Sequence, residues 1–316
     1  MRAVFLDTLS LDDLDFSGLE SVVEELVLYP NTQPNQVQSR IQGFDLVITN
    51  KVVIDAEAIQ QADHLALICV VATGVNNIDL NAAQAQGVAV VNCQAYGTHS
   101  VAQHVFSLML ALHTRLLDYH QAVQQGRWNQ AEQFCLLDYP IFELRGRVLG
   151  ILGYGVLGAE VARLAEAFGM QVMIAQRPGT QQSEAGRVPL VELLPQIDVL
   201  SIHCPLNDAT RNLLDAEMLA RMKPGSFLIN AARGGIVCEE ALASVLRSGH
   251  LAGAATDVLS VEPPRQGNCL LDPTLPNLIV TPHSAWGSVE ARQTILQQTQ
   301  ENILAFQQGA ALRRIV

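Results

Sequence analysis

The feature that most constrains this chain is a glycine-rich turn made of Gly153, Tyr154, Gly155, Val156, Leu157 and Gly158. It follows a short apolar segment at 147–152 and opens a helical pattern at 159–168. The spacing G-x-G-x-x-G is weak alone and becomes informative only between a strand and a helix, as here. Gly153 permits the tight turn, Gly155 removes a side chain where a pyrophosphate approaches, and Gly158 lets helix and strand pack closely. The free N–H groups and positive dipole end of the helix then face the phosphates. A glycine turn chosen for packing alone is the plainer account. The flanking strand and helix favour a dinucleotide, with the six turn residues as its cradle.

Around this turn the chain alternates short β-rich apolar segments with helical patterns. Segments at 3–6, 45–49, 65–71 and 88–91 precede it, and a second series runs through 147–152, 172–175, 199–203, 227–230, 252–256 and 278–281. Such alternation builds parallel sheets covered by helices. Six strands in the second series suit a complete dinucleotide-binding sheet. Between 100 and 125, Val101, Val105, Leu108, Leu112, Leu116 and Leu117 recur at helical spacing before Gly126, which predicts one long helix linking two domains. A last helix is expected over 288–308, returning to the first domain. The expected architecture is therefore α/β, two flavodoxin/Rossmann-like parallel-sheet domains with a cleft between them. Residues 1–97 with 288–316 form the substrate domain, and 98–287 the dinucleotide-binding domain.

At 316 residues two domains are the default, and 49% hydrophobic against 16% charged residues exclude a disordered chain. A net charge of -12 argues against nucleic acid or an anionic membrane surface as partner. The apolar stretch 101–117 is interrupted by Gln103, His104, His113 and Arg115, so no run reaches the about 18 residues of a membrane span. The N-terminus has no basic, apolar and cleavage-site order, so it is not a signal peptide. Cys69, Cys93, Cys135, Cys204, Cys238 and Cys269 are scattered without zinc-like spacing, which predicts reduced thiols and no metal. A soluble cytoplasmic protein is expected.

About 20 residues beyond the glycine turn, an acidic residue selects NAD through the ribose 2′-hydroxyl. Here the segment ends in Gln176 and Arg177. Gln176 does not repel a 2′-phosphate and Arg177 can pair with one, so NADP is expected to be tolerated or preferred, with NADPH supporting turnover at least comparable to NADH. Arg177 as a solvated loop charge is the plainer account.

Three polar residues follow the ends of successive predicted strands, where the ligand crevice of an open parallel sheet lies: Arg233, Glu262 and His283. Ketone reduction needs a cation to hold and polarise the substrate, an acid to protonate the nascent alkoxide, and a carboxylate to orient that acid. Taken singly they read as an ion-pair partner, a solvated charge and a structural histidine.

Their local sequences are NAARGGIV at 230–237, TDVLSVEPP at 256–264 and VTPHSA at 280–285. With HCPL at 203–206 and the glycine turn, they resemble the signatures of the D-isomer-specific 2-hydroxyacid dehydrogenases. The resemblance implies that Arg233 binds substrate, His283 is general acid and base, and Glu262 is its partner. It also implies that Thr98, Asp257 and the backbone around Cys204, Ala231 and Arg233 face the nicotinamide or its ribose. His203, Pro205, Ala232 and Ala285 join the cofactor set on the same ground. Asp257 is also explained as a strand-end cap. Ala72, Thr73 and Gly74 resemble the family's loop whose main-chain N–H groups receive the substrate carboxylate, while Asn76 and Asn77 are also explained as helix caps. Formate dehydrogenases of this superfamily carry glutamine beside the histidine. Glu262 therefore implies a protonated His283 and proton-coupled carbonyl reduction that slows at high pH.

Gly126, Arg127 and Trp128 resemble hydroxypyruvate and glyoxylate reductases, where a tryptophan shapes the substrate site across a dimer contact; Trp128 as a plain interface anchor explains it equally. Trp286 is expected to narrow the pocket toward small polar acids. The resemblance favours hydroxypyruvate/D-glycerate, with glyoxylate as side substrate, in a homodimer. The chain's end at Val316 implies no appended serine-type regulatory module. A reductase of lactate-like or bulkier 2-oxo acids and a non-enzymatic, NAD(H)-sensing corepressor-like scaffold remain as alternatives.

Overall fold

Strands buried on both faces read as unbroken apolar runs, and such runs assemble the sheets of this chain. The computed structural model describes residues 1–180 and 184–316. Among these residues the chain divides into two compact units, residues 1–97 with 287–316, and residues 98–286.

The first unit holds β1 (Arg2–Phe5), β2 (Glu25–Leu28), β3 (Leu46–Thr49), β4 (Leu67–Val70) and β5 (Ala89–Asn92) in one parallel sheet of order β2-β1-β3-β4-β5. This is the flavodoxin-like order. β3, β4 and β5 are buried throughout, and Val4, Ile41, Val47, Ile68 and Val90 share one core. The helix Val289–Gln307 belongs to this unit. Ser288 caps it by accepting from the Ala291 N–H at 3.1 Å, and Ile295 and Ile303 are fully buried.

The second unit holds β6 (Val148–Leu152), β7 (Gln171–Ala175), β8 (Arg187–Val188), β9 (Val199–Ile202), β10 (Phe227–Asn230), β11 (Gly253–Thr256) and β12 (Leu278–Val280). Their order, β12-β11-β10-β9-β6-β7-β8, is parallel throughout. Chain direction across the sheet reverses between β6 and β9, the switch point at which doubly wound sheets bind ligands. Successive residues serve opposite faces: Phe227 and Ile229 pack into one core with Val105 and Met109, and Leu228 into another with Leu200 and Leu242. No helix among the described residues is long and apolar enough to cross a membrane.

Two strands escaped the sequence reading. β2 is an edge strand, half-buried or exposed, whose apolar run of Leu26, Val27 and Leu28 is short and follows Glu24 and Glu25, and β8 is a two-residue edge with no run at all. The single helix expected over 100–125 is two, Thr98–Thr114 and Leu116–Gln124, broken where Arg115 adopts a left-handed φ of 53°. Helical spacing persists across the break, but Val101, Val105, Leu108 and Leu112 are buried whereas Leu116 and Leu117 are exposed, so no common core holds one axis. Gly126 ends the second helix with φ 74°, as expected.

Candidate active site

The glycine turn sits at the carboxyl end of β6, and each glycine answers to a neighbour. A methyl group on Gly153, whose φ is 97°, would stand 2.5 Å from the Cys204 nitrogen, so the turn after β6 lies directly against the turn after β9. One on Gly158 would meet the Gly153 carbonyl oxygen at 2.2 Å. Gly155 is different: a methyl there would meet nothing within 4 Å. It precedes the twelve-residue helix Val156–Ala167, and Tyr154 and Val156 beside it are exposed while Leu157 packs inward. Open space at a helix N-terminus, walled by two close-packed glycines, fits a pyrophosphate.

Beyond β9, Cys204 is buried, its thiol pushed up to about 11 by loss of solvent, and Pro205 is exposed. The His203 ring accepts or donates through Nε2 to Ser201 Oγ at 2.8 Å, and its buried Nδ1 has no partner among the described residues. Burial lowers its pKa to about 4, so the ring is neutral at pH 7. At the end of β7 Gln176 Nε2 donates to the Thr180 carbonyl at 3.3 Å and Arg177 is exposed.

Arg233 follows β10 in a turn shaped by Asn230. The Asn230 side chain accepts from the Ala232 N–H at 3.1 Å and donates to the Arg233 carbonyl at 3.0 Å, while Arg233 Nη1 donates to the Ala232 carbonyl at 2.7 Å. Ala231 and Ala232 pack toward opposite cores. Glu262 lies on the loop after β11, where its Oε1 accepts from the Leu259 N–H at 2.8 Å and its Oε2 lies 2.6 Å from His283 Nδ1. With Nδ1 donating to that carboxylate, Nε2 is the nitrogen left to exchange a proton. Glu262 and His283 are thus brought together as expected. Next to Arg233, Gly234 packs against the Leu259 backbone of the loop that carries Glu262.

His283 follows β12 with φ 53°, a conformation uncommon outside glycine, and its N–H donates to the Asp257 carbonyl at 2.8 Å. Asp257 is buried, and its carboxylate accepts from Thr281 Oγ1 at 2.6 Å and from the N–H groups of Ser284 and Ala285 at 2.9 Å each. Those bonds match the capping account of Asp257. Ala285 is buried and Trp286 half-buried against the core of the helix Thr98–Thr114, whose first residue Thr98 is buried as well.

In the first unit Ala72, Thr73 and Gly74 follow β4. The loop is held from behind, Cys93 N–H donating to the Ala72 carbonyl at 3.1 Å and Asn92 Nδ2 to the Thr73 carbonyl at 2.8 Å, which leaves Thr73 exposed. Asn76 and Asn77 do not cap the next helix. Asp79 does so, accepting from the Ala82 N–H at 2.9 Å, and Asn77 instead donates to the Val52 carbonyl at 2.9 Å.

Sequence reasoning passed over a set of supporting residues. Glu239, buried at the start of a helix, accepts from Ser260 N–H, Ser260 Oγ and Asn268 Nδ2 at 2.7–2.8 Å and so ties down the loop that carries Glu262. Ser100 and His104 reach the loop of His283. Their partners lie over 170 residues away in the chain, and only the helical spacing of four between Ser100 and His104 hinted at a shared face.

The family described as D-isomer specific 2-hydroxyacid dehydrogenase, NAD binding domain, matches residues 106–285. The chain is 43% identical over 311 residues to the glycerate dehydrogenase of Methylorubrum extorquens, covering 98% of this chain and 96% of that one. It is 36% identical over 318 residues to the hydroxypyruvate reductase of Blautia hydrogenotrophica, with 98% of each covered. Among solved structures it is similar to the NADPH-dependent glyoxylate/hydroxypyruvate reductase of Sinorhizobium meliloti in complex with citrate, at a TM-score of 0.83 and 26% identity over 100% of this chain and 98% of that one. The chain belongs to the D-isomer specific 2-hydroxyacid dehydrogenases, enzymes that use a nicotinamide cofactor.

Proposed function

We propose that this enzyme reduces hydroxypyruvate to D-glycerate, accepts glyoxylate as a side substrate, and uses NADPH at least as well as NADH. The observation that carries the reading is the 2.6 Å contact of His283 Nδ1 with Glu262, whose second oxygen is fixed by the Leu259 N–H. That arrangement holds an imidazole with Nε2 free to deliver a proton. The nicotinamide, when bound, supplies the hydride. Arg233 pairs with the substrate carboxylate and draws charge toward the carbonyl oxygen, and His283 protonates that oxygen as it becomes an alkoxide. Glu262 offsets the charge of the imidazolium.

The glycine turn with its open Gly155 cradles the pyrophosphate, and the residues around His203, Cys204, Pro205, Ala231, Ala232, Thr98, Asp257 and Ala285 line the rest of the cofactor. Gln176 and the exposed Arg177 stand where a carboxylate would reject a 2′-phosphate, and the related S. meliloti enzyme is NADPH-dependent. The relatives' names and the bulk of Trp286 favour a small polar acid. Exposed Trp128, Leu137 and Ile141, with Phe134 90% exposed, form an apolar arm suited to a second copy of this chain, hence a homodimer. All six cysteines are free thiols, consistent with the cytoplasm.

The test is turnover of hydroxypyruvate, glyoxylate, pyruvate and phenylpyruvate, each with NADH and NADPH. Hydroxypyruvate should lead. Turnover of bulky acids alone removes the substrate assignment, a strong NADH preference removes the cofactor assignment, and cofactor binding without turnover of any 2-oxo acid leaves a sensing scaffold. Light scattering on the parent and Phe134→Glu reads the dimer.

A further inference from the structure

We propose that Ser100 and His104, one turn apart on the helix Thr98–Thr114, are positioning residues that clamp the His283 loop for proton transfer. The inference rests on the reading of His283 as the proton donor and adds the groups that aim it.

The loop of residues 281–285 has to hold His283 at a φ of 53°, in the left-handed region that a side chain disfavours. Such a conformation persists only where neighbours over-determine it. Part of that work falls to Asp257, through the bonds already described from Thr281, Ser284, Ala285 and the His283 N–H. The rest comes from one face of the helix. Ser100 Oγ donates to the Ala285 carbonyl at 2.7 Å, and His104 Nε2 lies 3.0 Å from Thr281 Oγ1 and 3.5 Å from Asp257 Oδ1. Positions four apart share a helix face, so the helix grips the loop on both sides of His283.

The direction of the bonds follows from donor counting. Thr281 has one hydroxyl hydrogen, and at 2.6 Å it goes to the Asp257 carboxylate, which only accepts. The Thr281 oxygen is then the acceptor for His104, so His104 carries hydrogen on Nε2. The result is a directed chain, His104 Nε2–H to Thr281 Oγ1–H to Asp257, ending on a carboxylate with 1% exposure while His104 keeps 21%. A charge-assisted chain of this kind stiffens what it joins. A hydrocarbon at position 104 would leave the Thr281 oxygen short of a donor and release one end of the loop.

The experiment compares His104→Ala, His104→Gln and Ser100→Ala with the parent, and uses His283→Ala as control. Read-outs are kcat and KM for hydroxypyruvate, the solvent deuterium isotope effect on kcat, and the dissociation constant of the reduced cofactor from fluorescence. His104→Ala should lower kcat about 10- to 100-fold, the scale of a small misplacement of a reacting group. Its cofactor affinity should hold and its solvent isotope effect should rise. Glutamine, which offers a donor at the reach of Nε2, should recover most of the loss. A parent-like kcat in His104→Ala overturns the proposal, and so does an equal loss in both variants with an unchanged isotope effect. If His104→Ala does not fold, Ser100→Ala and His104→Gln decide: lowered kcat with intact cofactor binding in Ser100→Ala supports the clamp, and parent-like kcat there overturns it. An inactive His283→Ala beside a parent-like His104→Ala sinks the clamp alone. A His283→Ala that still turns over sinks the proton-donor reading, and the clamp loses its purpose with it.

Discussion

Gly234 lies against the backbone of Leu259 so closely that a methyl group on it would stand 1.9 Å from the Leu259 carbonyl oxygen. Gly234 follows Arg233, and Leu259 donates the N–H that fixes Glu262. The contact is therefore the point at which the arginine turn and the glutamate loop are registered on one another. Both sides are backbone, so neither can yield by a rotamer change. Gly234→Ala should separate the two loops, costing about 1–3 kcal/mol of stability as forced overpacking does. Activity should fall as well, by on the order of 100-fold, the cost of a small misplacement of reacting groups. Thermal denaturation and kcat/KM for hydroxypyruvate measure the two effects, and a variant with parental activity would dissociate Gly234 from the site.

Glu262→Gln keeps the shape of the side chain and removes its charge. The glutamine can still accept from His283 Nδ1, so orientation survives while the imidazolium loses its counter-charge. Reduction should slow by roughly 100-fold, the lower end of acid–base contributions, and its decline with rising pH should set in at lower pH than in the parent. The pH dependence of kcat/KM tests this. A profile that keeps its position on the pH axis removes Glu262 from the partnership.

How much of this was legible in the sequence depended on whether a signal was local. The glycine turn is local: three glycines, a strand before and a helix after specify both the βαβ unit and the open space at Gly155. The buried strands β3, β4 and β5 are local too, because burial on both faces writes an apolar run. β8 is not, since a two-residue edge leaves no pattern, and β2 shows only the three apolar residues Leu26, Val27 and Leu28 because an edge strand pairs with one neighbour alone. The break at Arg115 was hidden because a 3.6-residue repeat of leucines reads the same whether they meet a core, as Leu112 does, or solvent, as Leu116 does. The supports of the catalytic loops were hidden for a third reason. Glu239 and His104 act on residues far along the chain, and their meaning appears only once the strand ends are gathered at one edge of the sheet.

Arg177 stands exposed at the end of β7, where its guanidinium can pair with a 2′-phosphate. Arg177→Asp should raise KM for NADPH by about 10-fold or more, the scale of one charge-assisted contact turned repulsive, and leave KM for NADH near the parent value. Steady-state kinetics with both cofactors check it. Equal effects on the two would make Arg177 a solvated loop charge.

Acid should destabilise the fold in a window set by His203. Its pKa is lowered to about 4 by burial, against an ordinary value of 6.5 in the unfolded chain. Below pH 6.5 the unfolded chain takes up a proton that the folded chain refuses, so stability is complete above that value and falls as pH drops toward 4. The drop is at most about 3 kcal/mol, from about 1.4 kcal/mol per unit of difference. His113, buried and also lowered by desolvation, adds to the same window. Asp272, held to about 2 by Thr274 and Arg247, is lost only below its ordinary range near 4, whereas Asp7, raised by burial, gains its proton more readily in the fold and works against the trend. Chemical denaturation between pH 7 and pH 4 should therefore show falling stability, and His203→Gln, which keeps a nitrogen for Ser201, should flatten the slope. An identical slope in that variant would mean that the His203 ring takes up its proton without leaving the fold.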